Sequence, residues 1–190
     1  MTINPENRPA SMALQPANLR IIPGLLFALV LLVGCAAPVT AYNQPPGPLT
    51  KAAIKRMVVH EARNTGIPAS LTLAVAHAES SFNAQARSHV GARGVMQIMP
   101  ATARGEYGVH PDQLWDPRIN IRLGLHFLGR LITRYNGRTD LALSYYNGGS
   151  AVGRPGRARV IPATRSYVRK VQKLQKLQKH YRRQLQRGQV

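Results

Sequence analysis

The sequence predicts a mostly α-helical domain, and three observations carry that expectation. From Thr50 onward apolar residues recur at helical spacing, residues suited to starting and stopping helices bracket those runs, and the alternation of a half-buried strand is nearly absent. No repeat period is visible. The chain has 190 residues, 44% of them apolar, which suits one ordinary domain with appendages. Aromatics make up only 6%, so the core must rest on Leu, Ile, Val, Ala and Met.

The elements follow in order. Thr50 suits the N-cap of a first helix through Ile54, Val58 and Ala62, stopped near Gly66. Pro68 fits the first turn of a second, whose apolar positions include Leu71, Leu73, Val75 and Ala76. An irregular, glycine-rich stretch spans Ser80 to Gly94, and a short helix begins near Met99-Pro100. Asp116-Pro117 opens what reads as the longest helix, with Ile119, Leu123, Phe127, Leu131 and Tyr135 at four-residue spacing. Thr139 is expected to cap a helix closed by Gly148-Gly149, and a last helix runs from about Ala163 into a basic tail.

Residues before Thr50 read differently. Arg20 precedes an apolar run from Ile21 to Val33 that ends in Leu32-Val33-Gly34-Cys35. A positive start, a short apolar middle and small residues at the end describe a cleaved export signal. The last four residues resemble the lipobox of bacterial lipoproteins, which implies lipidation at Cys35, the one cysteine of the chain. Ala36, a non-acidic residue after that cysteine, implies sorting to the outer membrane, facing the periplasm. The expected organisation is a signal peptide over 1–34, a Pro/Gly-rich tether over 35–49, a domain over 50–172 and a basic tail over 173–190.

The formal charge of +19 implies an anionic partner. The basic residues are not interleaved with stacking aromatics and carry no zinc-finger or RNA-binding signature, which argues against nucleic acid. Six histidines are scattered without ligand spacing, so no metal is expected, nor any cofactor. Residues 141–190 contain no acid at all. Their cations are either a solvated helix face or a means of attraction to cell-wall carboxylates or anionic lipid.

Beyond Cys35 only six carboxylates remain, and their settings sort them: Glu61, Glu79, Glu106, Asp112, Asp116 and Asp140. Asp116 and Asp140 stand at helix starts, where an acid is favourable. Asp112 lies in a turn, Glu61 in a polar part of the first helix, and Glu106 near a helix end. Glu79 is different, because it closes an apolar helix and meets a segment that turns away at once. A carboxyl there is partly desolvated, which favours the neutral form that can donate a proton.

The run from Glu79-Ser80-Ser81-Phe82 through Ser88, Gly91-Ala92-Arg93-Gly94 and Val95-Met96-Gln97-Ile98-Met99-Pro100 closely resembles the signature of family 1 lytic transglycosylases. Trp115-Asp116-Pro117 with Asn120 and Gly124, Tyr145-Tyr146-Asn147-Gly148-Gly149, and Thr164-Arg165-Ser166-Tyr167-Val168 resemble later blocks of that family, in the same order. Tyr145 and Ala163 depart from its usual residues. The resemblance implies a lysozyme-like helical domain with an active-site cleft. It also implies Glu79 as the single catalytic acid and base, and Ser88, Met96, Gln97, Tyr146 and Asn147 along the cleft. The implied reaction cuts the bond between N-acetylmuramic acid and N-acetylglucosamine in peptidoglycan and closes a 1,6-anhydro ring, a lyase outcome. Two other readings stay open: a goose-type lysozyme-like hydrolase, separable by its product ends, and a non-catalytic wall-binding lipoprotein, against which the intact Glu79 argues.

Overall fold

The computed structural model describes residues 49–187. The expected signal peptide, Cys35 and nearly all of the tether lie outside the described residues. Six α-helices form the domain: α1 Lys51–Ala62, α2 Ala69–Ser80, α3 Pro100–Tyr107, α4 Pro117–Arg134, α5 Thr139–Gly148 and α6 Arg165–Gln186, with 3-10 turns at Pro111–Trp115, Gly149–Val152 and Pro162–Thr164. Two isolated antiparallel bridges, Arg87 with Arg93 and Arg93 with Ile98, are the extended pairing among the described residues. The expectation of a mostly α fold holds.

Local chemistry sets the helix ends. The Thr50 hydroxyl accepts from the Ala53 amide at 3.2 Å, and the Asp116 carboxylate accepts from Arg118 and Ile119 at 2.7 and 3.2 Å. Thr139 does not cap α5; it is the first helical residue, and Arg138 before it makes no side-chain cap. Arg138 instead grips Asp140 through two bonds of 3.0 and 2.8 Å. The longest helix is α6, with 22 residues against 18 for α4. The basic tail carries no helix breaker before Gly188, so α6 continues unbroken past residue 172.

The buried stripe of α4 also differs from the four-residue series. Ile121, Leu125, Leu128 and Leu131 are inside, while Ile119, Leu123 and Phe127 are half-buried. A strict four-residue step overshoots the 3.6-residue turn and drifts off the core face, whereas the mixed steps of four, three and three stay on it.

Helix α2 is the centre of the packing, lying against both α1 and α6; α4 packs on α1 and α5. Ala74 and Ala76 are fully enclosed, and small side chains there let neighbouring helices approach. The core joins Ile54 and Val58 of α1, Leu71 and Val75 of α2, Ile121, Leu125 and Leu128 of α4, Leu143 of α5, and Val168 and Val171 of α6, while Leu131 belongs to a second cluster with Tyr135, Leu141 and Val152. Glu61, expected in a polar stretch, is 6% exposed and bonds Arg122 of α4 at 2.8 Å, so it ties α1 to α4 from within.

The segment between α2 and α3 is irregular but firmly held by Asn120 of α4, which is wholly buried. Its amide nitrogen donates to the carbonyls of Arg93 and Leu114 at 2.8 and 3.1 Å, and its oxygen accepts from the Met96 amide at 2.7 Å. Gly94, at φ +75°, has no room for a Cβ, which would strike Asn120 and the Leu114 carbonyl. Replacing Asn120 by Ala leaves the buried Met96 amide without its partner and takes a donor from the Leu114 and Arg93 carbonyls, the latter keeping the Ile98 amide, and we expect a loss on the order of 3 kcal/mol in urea unfolding. A loss below about 0.5 kcal/mol, the level of an ordinary surface change, would remove Asn120 from this role.

Candidate active site

Glu79 stands in the last turn of α2, where the chain leaves the helix through Ser81 and Phe82, both at positive φ (52° and 64°). Those two residues reverse the chain so that Phe82 returns to the core, 4% exposed, with His77 stacked on its ring at 5.4 Å. Ser80 fixes the same corner: its hydroxyl donates to the Val95 carbonyl at 2.8 Å. The Glu79 carboxyl is therefore held where helix, reversal and the 94–98 segment meet.

Packing of α6 on α2 brings Tyr167 to it. The Tyr167 hydroxyl donates to Glu79 Oε1 at 2.5 Å, and Lys170, one turn further along α6, donates to the Ala78 carbonyl at 2.9 Å. Burial pushes the Glu79 carboxyl up to about 7, against the opposing effects of the Tyr167 hydrogen bond and the Lys170 charge. The C-terminal end of a helix, with its negative dipole end, favours the neutral acid in the same sense as burial. Near pH 7 such a group is divided between acid and carboxylate, so it can both donate and accept a proton.

The residues expected along the cleft occupy different positions. Burial raises the phenol of Tyr146 on α5 well above the ordinary range, and the nearby Glu79 charge adds to it. Its hydroxyl donates to the Met96 carbonyl at 2.8 Å. The Met96 side chain is fully buried and packs on Gly124, where a Cβ would sit 2.5 Å from Met96 Cβ. What Met96 presents to Tyr146 is its backbone carbonyl. Gln97, at φ +48°, donates from its side-chain amide to the carbonyls of Ala86 and Gly94 at 3.1 and 3.0 Å. The Ser88 hydroxyl accepts from the Ala92 amide at 3.0 Å and shapes the 88–92 loop, and Asn147 is exposed at the end of α5. Glu79, Tyr146 and the Met96 carbonyl are thus brought together, while the Ser88 and Gln97 bonds shape the adjoining loop.

Tyr167 is a site residue whose role the sequence does not reveal. Its signal is present in Thr164-Arg165-Ser166-Tyr167-Val168, but nothing there says that α6 crosses the end of α2. The other five carboxylates of the described residues are engaged elsewhere. Glu61 pairs with Arg122, Glu106 with Arg130, Asp112 with Arg93 and Asp140 with Arg138, while Asp116 caps α4. Among the described residues no group of His, Cys, Asp and Glu is arranged to hold a metal ion, and no helix is long and apolar enough to cross a membrane. A large depression of about 1240 Å³ is lined by residues such as Glu61, Ile67, Arg122 and Phe127 and by none of the candidate residues.

The domain has known relatives. The transglycosylase SLT domain model matches residues 56–160, more than half of the chain, and the chain belongs to that family. The soluble lytic murein transglycosylase of Escherichia coli K12 is 36% identical over 100 residues, an alignment covering 49% of this chain and 15% of that protein. The membrane-bound lytic murein transglycosylase C of Cronobacter sakazakii is 35% identical over 125 residues, covering 57% of this chain and 35% of the relative. Among solved structures, an inactive glutamate-to-glutamine mutant of the lytic transglycosylase Slt from Pseudomonas aeruginosa superposes with a TM-score of 0.58 at 31% identity, over 67% of this chain and 24% of that one. The 70 kDa soluble lytic transglycosylase of E. coli gives 0.58 at 28% identity, over 66% and 24%. The chain thus spans a minor part of these relatives.

A pH dependence of stability follows from Glu79. Between about pH 4.5 and 7 the folded chain holds a proton on Glu79 that the unfolded chain has released. The Glu79 contribution to stability is full below that window and is lost as pH rises through it, by on the order of 3 kcal/mol. Urea unfolding of Glu79→Gln should lack this decline. Tyr167→Phe, which removes a hydrogen bond to the carboxylate, should extend the decline to higher pH. Identical pH profiles for wild type and Glu79→Gln would contradict the assignment.

Proposed function

We propose that this chain is a peptidoglycan lytic transglycosylase that cleaves the β-1,4 bond between N-acetylmuramic acid and N-acetylglucosamine and leaves a 1,6-anhydromuramoyl end. One observation carries the reading: an acid held near neutrality at the end of a buried helix, while the other carboxylates of the domain are tied up in caps and ion pairs. A glycosidase using two carboxylates needs a second free one beside the first. A substrate-assisted route needs one group that works twice.

Glu79 gives its proton to the glycosidic oxygen as the bond to the anomeric carbon breaks, and the N-acetylglucosamine product leaves as an alcohol. The carbonyl oxygen of the muramoyl N-acetyl group bonds to the anomeric carbon in its place. Glu79, now a carboxylate steadied by the Tyr167 hydroxyl, takes the proton from the sugar's O6 hydroxyl. O6 then attacks the anomeric carbon, displaces the acetamido oxygen and closes the ring, so Glu79 ends protonated as it began. Holding O6 near that carbon makes the intramolecular attack competitive with water. Ser88, Met96, Gln97, Tyr146 and Asn147 form the substrate-binding set in this reading. The Met96 contribution runs through its carbonyl and Tyr146, and Asn147 is the residue most open to a sugar. The names of the relatives support the activity, as does the inactive glutamate-to-glutamine mutant among the structural neighbours.

Residues 1–34 are, in the same proposal, an export signal, Cys35 the lipidated N-terminus of the mature chain, and 35–49 a tether. The tether places the 50–172 domain in the periplasm beneath the outer membrane. The membrane-bound relative is consistent with that placement. Cys35→Ser should leave the chain unprocessed or unanchored; outer-membrane fractionation at unchanged mass would refute lipidation.

The catalytic reading is tested with purified sacculi. Glu79→Gln keeps the side chain's shape but has no proton to give. Release of 1,6-anhydromuropeptides, followed by mass spectrometry, should fall by at least about 10²–10⁴-fold while the fold persists. Reducing-end products from the wild type would mark a hydrolase instead, and substantial activity in folded Glu79→Gln would sink the mechanism.

A further inference from the structure

The second half of α6 has a character the catalytic reading has no use for. Up to Val171 the helix is core: Val168 and Val171 are 5% and 0% exposed. Beyond that point it runs on to Gln186, about 20 Å more. Leu174 is half-buried, whereas Leu177 and Tyr181 are each 54% exposed, apolar bodies held out in water on a rigid element. Leu174, Leu177 and Tyr181 stand three and four residues apart and so share one face. Lys176, Lys179 and Arg183 fall on the opposite face, with Lys173 and Arg182 at the borders.

We propose that residues 174–186 of α6 form a membrane-surface helix that lies on an anionic bilayer, with Leu177 and Tyr181 in the headgroup–acyl boundary and the flanking cations on lipid phosphates. Charge complementarity selects this occupant. No acid occurs in residues 141–190, so a second copy of the helix would bring like charges together along the whole seam. Cell-wall carboxylates would satisfy the cations but give Leu177 and Tyr181 nothing to be buried in. An anionic bilayer satisfies both: apolar burial and electrostatic attraction add, and long basic side chains reach outward from the apolar face to the headgroups. The inference does not depend on the activity of Glu79.

The full chain tests it with a probe placed in the helix itself. Trp115 is the sole tryptophan, so Tyr181→Trp adds one reporter whose signal is read against the parent chain. Vesicles are made of phosphatidylcholine, with or without phosphatidylglycerol, and carry acyl-brominated lipid as quencher. An amino-terminal anchor, the lipid on Cys35 in the proposed mature form, would hold the chain on both kinds of vesicle alike, whereas the indole introduced on α6 should shift to the blue and be quenched only in the anionic ones. Lys173→Gln and Arg182→Gln, at the borders of the apolar face, should each lower the inserted-to-free ratio roughly fivefold, and high salt should do likewise. An introduced indole left unquenched on anionic vesicles that carry the chain, or quenched equally on neutral ones, overturns the proposal. Binding to lipid-free sacculi that survives Leu177→Gln with Tyr181→Gln, together with absent quenching, would assign the helix to the wall instead.

Discussion

Helix α2 is buried on nearly all sides, and the site depends on that constraint. Ser70, Leu71, Thr72, Ala74, Val75 and Ala76 are enclosed between α1 and α6, so the helix cannot shift or fray without opening the core. Whatever residue closes it is held in surroundings of low polarity. That residue is a glutamate, and burial raises its pKa toward neutrality. The Tyr167 hydroxyl works the other way, by stabilising the carboxylate. The balance between the two leaves an acid able to change protonation state near pH 7, which a group serving as acid and then as base requires.

The charge distribution of the chain has the same logic. Carboxylates are few, and among the described residues each one outside the site has an assignable structural role. Four pair with arginines and one caps a helix. Glu61 is the most committed of these, because one of its oxygens bonds Arg122 while the other, Oε1, is buried without a partner. The surplus of cations gathers in the last fifty residues, away from the acids, where it gives α6 its basic face.

Much of this is legible in the sequence, for identifiable reasons. Thr50 and Asp116 cap helices because short polar oxygens reach the free amides of a first turn, and that is a local property. Thr139 carries the same signal without capping anything, because the helix begins one residue earlier than a Thr139 cap requires and Thr139 lies in its first turn. The buried face of α4 is not legible, since spacing alone does not say where a neighbouring helix lies. Glu61 reads only as an acid in a polar part of the first helix because its partner, Arg122, is sixty-one residues away. Tyr167 has no visible role for the same reason: its meeting with Glu79 spans eighty-eight residues and exists only once α6 crosses α2. Glu79 itself can be read early because both of its determinants, an apolar helix and an abrupt turn, are adjacent in the chain.

Glu79 is held near neutrality by its place in the fold, and on that the rest of the chemistry rests. The most direct test is carbon-detected NMR titration of chain labelled at the glutamate side-chain carboxyl, with the Glu79 resonance assigned by its loss in Glu79→Gln. The expected midpoint is about 7, moved upward by Tyr167→Phe. A midpoint at the ordinary 4.5, unmoved by that substitution, would contradict it.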